Sequence, residues 1–126
     1  PAEIMLHCFD AERLEECGRL LRQAEQEAPD EAARTRVGFF RDGFDYVRLT
    51  WLCLRAAEEA RDEPGRTALR ALVGERDGFV RELTAREAAR SADLPPVFRG
   101  GVEDLLYGPG GMYKEAFGRA AAPEGQ

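Results

Sequence analysis

Three carboxylates near the middle of the chain are the first candidates for acid–base chemistry. Glu58, Glu59 and Asp62 lie close together, and two carboxylates can serve as general acid and general base when a site separates their pKa values. Arg55 and Arg61 stand at helical intervals from them, where ion pairs form readily. We therefore interpret the three carboxylates as a solvated helix end and predict no catalytic residue there.

A nucleophilic site would have to use the only histidine, His7, as its base. His7 is next to Cys8, and adjacent residues do not readily present both side chains to one substrate. The glycine-rich segment 108–111 lacks the lysine and the hydroxyl that complete a phosphate-binding loop. The sequence therefore predicts no catalytic residue and no cofactor.

The three cysteines, Cys8, Cys17 and Cys53, include no closely spaced pair of the kind that zinc sites use. No metal site is predicted. We interpret Cys17 and Cys53 as buried free thiols on helix seams. A disulfide between these two, across adjacent helices, is the alternative if the parent protein is exported.

The composition favours a single soluble domain. The chain has 126 residues, of which 44% are hydrophobic and 33% charged, and its net charge is -6. Because no basic stripe stands out to neutralise phosphates, nucleic-acid binding is disfavoured. No apolar run approaches the roughly 18 residues of a membrane span, and the N-terminal segment does not resemble a signal peptide. Arginine in place of lysine is typical of a GC-rich bacterial genome, and the compartment, cytoplasmic or exported with a parent protein, is left open.

The apolar spacing predicts three long helices. The first should run from about 11 to 28, with Asp10 as its N-cap and Phe9 packing on Leu14. Its predicted buried face steps by three and four residues: Leu14, Cys17, Leu21, Ala24 and Ala28.

The second predicted helix runs from about 31 to 62, with Asp30 as its N-cap. One apolar seam on this helix comprises Val37, Phe40, Phe44, Val47, Trp51 and Leu54. A flanking stripe comprises Phe39, Tyr46, Cys53, Ala57 and Ala60. Since one helix with two apolar faces needs two neighbours, the pattern implies at least three helices.

The third helix is predicted from about 66 to 91, after a break at residues 63–65, and Pro95 and Pro96 follow its end. Its inward residues are Leu69, Leu72, Val73, Phe79, Val80 and Leu83.

Five glycines fall inside these helices: Gly18, Gly38, Gly43, Gly74 and Gly78. Each costs about 1 kcal/mol relative to alanine in a helix interior, and we interpret them as places where neighbouring backbones approach closely. The alternative, that the Asp-Gly pairs at 42–43 and 77–78 are turns, is disfavoured because the apolar seam keeps its phase across both.

The pattern as a whole predicts an all-α, antiparallel three-helix bundle over residues 1–94. The Pro/Gly-rich tail, residues 95–126, should belong to the same domain and add one or two short helices, near 102–107 and 112–120. The tail either folds over the bundle or forms a partner interface. The residues of that candidate interface are Phe98, Leu105, Leu106, Tyr107, Met112, Tyr113 and Phe117.

The order of residues from Phe9 to Leu52 resembles a known type of protein. Its most distinctive part is the run Arg-Val-Gly-Phe-Phe-Arg-Asp-Gly-Phe-Asp-Tyr at 36–46. This order resembles the helical C-terminal part of large bacterial glycoside-hydrolase-like proteins, which are similar to α-glucuronidases and carry a domain of unknown function. The resemblance implies an upstream catalytic barrel in a longer parent chain, and it assigns no catalytic residue to this one.

Two functions are expected on these grounds. The first is a non-catalytic helical module that packs against a carbohydrate-active, glycoside-hydrolase-like bacterial protein, so that its partner is an upstream domain or a separate protein. The alternative is a stand-alone interaction bundle that recruits a partner helix or forms a homo-oligomer through the stripe of Phe39 and Tyr46.

Overall fold

The computed structural model describes residues 2–90, and in this range the chain is an all-α helical bundle without strands. The helices are α1 (Ala2–Cys8), α2 (Ala11–Glu27), α3 (Glu31–Glu59) and α4 (Glu63–Arg90). The all-α class and the three long helices are therefore confirmed. The additional short helix is α1, at the N-terminal end. The predicted short C-terminal helices and the domain boundary after residue 94 lie outside the described residues.

Each long helix begins at an aspartate that caps its free amides. The carboxylates of Asp10, Asp30 and Asp62 each accept a hydrogen bond of 2.8 Å from the backbone N–H three residues later. The first two caps were predicted. The predicted break at residues 63–65 is wrong, because these residues form the first turn of α4, where Pro64 is tolerated since first-turn amides have no partner within the helix.

The chain divides into two compact units, residues 1–52 and residues 53–126, so the division falls inside α3 between Leu52 and Cys53. The first unit holds α1, α2 and most of α3. Its buried apolar residues include Leu14 on α2 and Tyr46, Leu49 and Trp51 on α3.

The predicted buried face of α2 is only partly correct. Leu14 is buried, and Leu21 and Ala28 are half-buried, but Cys17 and Ala24 are exposed. The steps of three and four residues identify one side of α2. They do not show how much of that side a neighbouring helix covers.

The apolar seam of α3 is buried only towards its C-terminal end. Trp51 and Leu54 are buried, while Phe40 is 66% exposed and Phe39, from the flanking stripe, is 59% exposed. The prediction that these two phenylalanines are covered is wrong. Tyr46, from the same stripe as Phe39, is buried at 6% exposure.

In the second unit, buried residues come from the end of α3 and from α4: Cys53, Leu54, Leu69, Val80 and Leu83. The inward positions on α4 were predicted from the spacing, and all of them are buried or half-buried. Arg76 is also buried, and its guanidinium lies 3.4 Å from the Asp77 carboxylate. Burial raises the pKa of the Cys53 thiol to about 11, with nearby Arg76 opposing that shift.

The helices continue through the Asp-Gly pairs at 42–43 and 77–78, as the phase of the seam predicted. The reason predicted for the glycines is wrong at four of them. A Cβ added at Gly78 would meet only the Arg81 side chain, at 3.9 Å. A Cβ added at Gly38, Gly43 or Gly74 would meet nothing within 4 Å, so no backbone approaches there. Gly18 differs, because a Cβ there would lie 3.5 Å from the Phe44 ring.

Candidate functional site

Helices α2 and α3 of the first unit pack side by side in opposite directions. The Trp51 indole N–H donates a 3.0 Å hydrogen bond to the Phe9 carbonyl at the start of α2. Near the other end of α2, the Arg41 guanidinium lies 2.8 Å from the Glu25 carboxylate. Since the later residue of α3 meets the earlier end of α2, the pair is antiparallel, as the short connection at residues 28–30 requires.

A groove with a volume of about 420 Å³ runs between these two helices. From α2 it is lined by Ala11, Leu14, Glu15, Gly18, Leu21 and Arg22. From α3 it is lined by Arg41, Phe44, Asp45, Arg48, Trp51 and Leu52. Both sets repeat at steps of three and four residues, so each helix contributes one continuous face about 16 Å long.

The floor of the groove is apolar. Leu14 and Trp51 are 5% and 6% exposed, and Leu21 and Phe44 are half-buried. Gly18 lies on the floor with no side chain to fill the space beside the Phe44 ring. The groove is open along both helices. Small molecules usually bind in enclosed pockets, whereas an open groove of this kind suits the side of another helix.

The rim of the groove carries charges, and most of them have partners within the unit. Arg41 pairs with Glu25 at 2.8 Å, and the Arg48 guanidinium lies 3.9 Å from the Asp45 carboxylate. The side chains of Glu15 and Arg22 make no ion pair or hydrogen bond with any described residue. These two charges are therefore available to a molecule that enters the groove.

A second exposed feature of this unit is the aromatic pair formed by Phe39 and Phe40. The two rings meet edge to face, with centroids 5.8 Å apart and an interplanar angle of 79°. We call this pair the α3 aromatic patch. It replaces the predicted stripe of Phe39 and Tyr46, because Tyr46 is buried and cannot form an outer surface.

The structure places the candidate chemical residues as follows. Glu58, Glu59 and Asp62 are exposed, and two of them have structural partners: Glu59 pairs with Arg55 at 2.6 Å, and Asp62 caps α4. This agrees with a solvated helix end. His7 and Cys8 are exposed at the end of α1.

All three cysteines are free thiols, so the alternative of a bridge between Cys17 and Cys53 is not present in this structure. Cys53 is buried as predicted, whereas Cys17 is exposed and its predicted burial is wrong. Within residues 2–90, no group of three or more metal-ligating side chains is placed to hold an ion.

The predicted interface in the tail lies outside the described residues. Its members are Phe98, Leu105, Leu106, Tyr107, Met112, Tyr113 and Phe117.

The groove was not predicted as a site. Its signal was present, because the apolar faces of α2 and α3 were both recognised, but they were expected to be buried within the bundle.

Comparisons with protein-family models, with curated proteins and with solved structures find no match to this chain. No helix in the described part of the chain is long and apolar enough to cross a membrane.

Proposed function

We propose that this chain is a helical interaction module whose docking surface is the groove between α2 and α3. The observation that carries the proposal is the combination of an apolar floor along two antiparallel helices with two rim charges, Glu15 and Arg22, that have no partner in the described chain. Grooves of this type bind the apolar face of another helix, and flanking charges select the partner and its direction.

Two adjacent leucines on α2 offer a matched test. Leu21 lines the groove and is half-buried, whereas Leu20 is 49% exposed and lies outside the groove. The experiment measures the size of the complex that the tagged full chain forms, first with the purified chain and then in a lysate of its source cells. Leu21→Glu should abolish any assembly larger than the monomer, and Leu20→Glu should leave it intact.

A second variant controls for loss of folding in Leu21→Glu. In Gly18→Ala the added methyl would lie 3.4 Å from the Arg22 guanidinium and 3.5 Å from the Phe44 ring, which the flexible arginine and ordinary contact can accommodate. This variant should fold, as circular dichroism would show, and still weaken assembly because it raises the groove floor. An assembly that survives in both variants would exclude the groove as the docking surface.

A second candidate function rests on the resemblance to glycoside-hydrolase-like proteins. Its segment, Phe9 to Leu52, ends where the first compact unit ends, and the α3 aromatic patch within it leaves two phenylalanines uncovered. In this candidate function the unit is a module of a bacterial carbohydrate-active protein, and the patch packs on its catalytic domain.

The genomic reading frame upstream of Pro1 provides the direct test of the second candidate. A frame that encodes a barrel-like pattern there would favour it. Joined to that domain, Phe39→Ser with Phe40→Ser should then lower the unfolding temperature of the longer chain. A stop codon directly upstream would remove this candidate and leave the groove unaffected.

A further inference from the structure

We propose that the occupant of the groove is the same groove of a second copy of this chain, related by a two-fold axis that passes close to Gly18. This inference rests on the proposed function and names its partner. In such a dimer the two α2 helices cross antiparallel at Gly18, and two α2–α3 hairpins form a four-helix arrangement.

The free rim charges are the first argument for a second copy. Glu15 and Arg22 lie on the same face of α2, two turns or about 10.5 Å apart, with Gly18 almost midway between them. A two-fold axis at Gly18 sets Glu15 of one copy opposite Arg22 of the other, and the reverse contact follows by symmetry. Two ion pairs therefore form from the two rim charges that have no partner among the described residues of one copy.

The apolar residues follow the same symmetry. Leu14 is 5% exposed, so the apolar side chains of the groove that a second copy would cover are half-buried Leu21 and Phe44, and the two-fold axis brings both copies of each into the interface. The remaining guanidinium groups on the rim do not oppose this arrangement, because Arg41 and Arg48 already lie beside the carboxylates of Glu25 and Asp45.

Reciprocal charge pairing can be tested with the full chain by sedimentation velocity over a range of concentrations. Glu15→Arg creates two like-charge contacts in the symmetric dimer, and so does Arg22→Glu. Each single variant should raise the dimer dissociation constant by about tenfold or more. The double variant restores opposite charges at both contacts, and its dissociation constant should return to nearly that of the parent chain.

Matched controls separate this effect from a change in net charge. Glu12→Arg and Arg36→Glu make the same charge changes at exposed positions that do not line the groove. Both should leave the dissociation constant close to that of the parent chain. An effect of these controls as large as that of the groove variants would overturn the proposed contact.

The outcomes also distinguish this inference from the proposed function. A purified chain that stays monomeric, but enters a larger assembly in lysate that Leu21→Glu abolishes, would refute the second copy and retain the groove. A dimer in which the double charge variant is no tighter than the single variants would refute the two-fold arrangement. A dimer that is indifferent to Leu21→Glu and Gly18→Ala would refute both proposals.

Discussion

The two ends of α3 carry the same apolar spacing and lie in opposite environments. Towards the N-terminal end, Phe39 and Phe40 are 59% and 66% exposed, whereas Trp51 and Leu54 near the other end are 6% and 3% exposed. Helical periodicity groups apolar residues on one side of a helix. Whether that side is covered depends on how far the neighbouring elements extend along it, which is a property of the whole fold.

At the buried end of α3, Trp51 contacts the start of α2. Its indole N–H donates to the carbonyl of Phe9, 42 residues earlier in the chain. This contact satisfies the polar atom of a large buried ring, as buried tryptophans generally require. No such long-range hydrogen bond is available to the phenylalanines of the α3 aromatic patch, which have no polar atom in their side chains.

Among substitutions at the two ends of α3, removal of the Trp51 side chain should lower the free energy of unfolding most. We expect Trp51→Ala to lower the free energy of unfolding by about 3–5 kcal/mol, because it empties a large buried volume and leaves the Phe9 carbonyl without its donor. Urea unfolding followed by circular dichroism measures this. Trp51→Phe is the matched control, since it keeps most of the volume and should lose only about 1 kcal/mol with the hydrogen bond.

A smaller effect is expected at Cys53, in the buried part of α3 that belongs to the second unit. Burial raises the pKa of this thiol from its usual 9.0 to about 11. Below pH 9 the thiol is protonated in both the folded and the unfolded chain. Between pH 9 and 11 the unfolded chain loses the proton first, so the free energy of unfolding falls as the pH rises through this window.

The measurement is urea unfolding of the parent chain and of Cys53→Ala between pH 8 and 11, under reducing conditions. Tyrosine and lysine titrate in the same range, so the prediction concerns the difference between the two proteins. The parent chain should lose more stability than Cys53→Ala. Alkylation of the native chain at neutral pH gives an independent check, because exposed Cys8 and Cys17 should react while Cys53 reacts only after unfolding.

Much of the fold could be predicted from local sequence signals. Asp10 and Asp30 were recognised as caps, and the inward face of α4 followed from the spacing, because both features depend on residues within one or two turns. The first turn of α4 was not predicted, because proline and glycine usually break a helix and Pro64 and Gly65 lie in this turn. Asp62 caps that turn, and a proline is compatible with it.

The candidate site was harder to predict, because a groove exists only where no other part of the chain packs on the apolar faces that line it. The positions of Leu14, Leu21 and Phe44 on apolar faces were recognised, but the amount of each face left open depends on the tertiary packing. The exposure of Cys17 was missed for the same reason. Glu15 and Arg22 became informative only when the other rim charges were seen to have partners.

The smallest effect is expected at the exposed end of α3. Phe40→Ser should change the free energy of unfolding of the isolated chain by about 0.5 kcal/mol or less, because its side chain is 66% exposed. Dilute solution is the appropriate condition, since association would add its own stabilisation. A loss comparable to that of Trp51→Ala would mean that the α3 aromatic patch is covered in solution, and the contrast between the two ends of α3 would then be wrong.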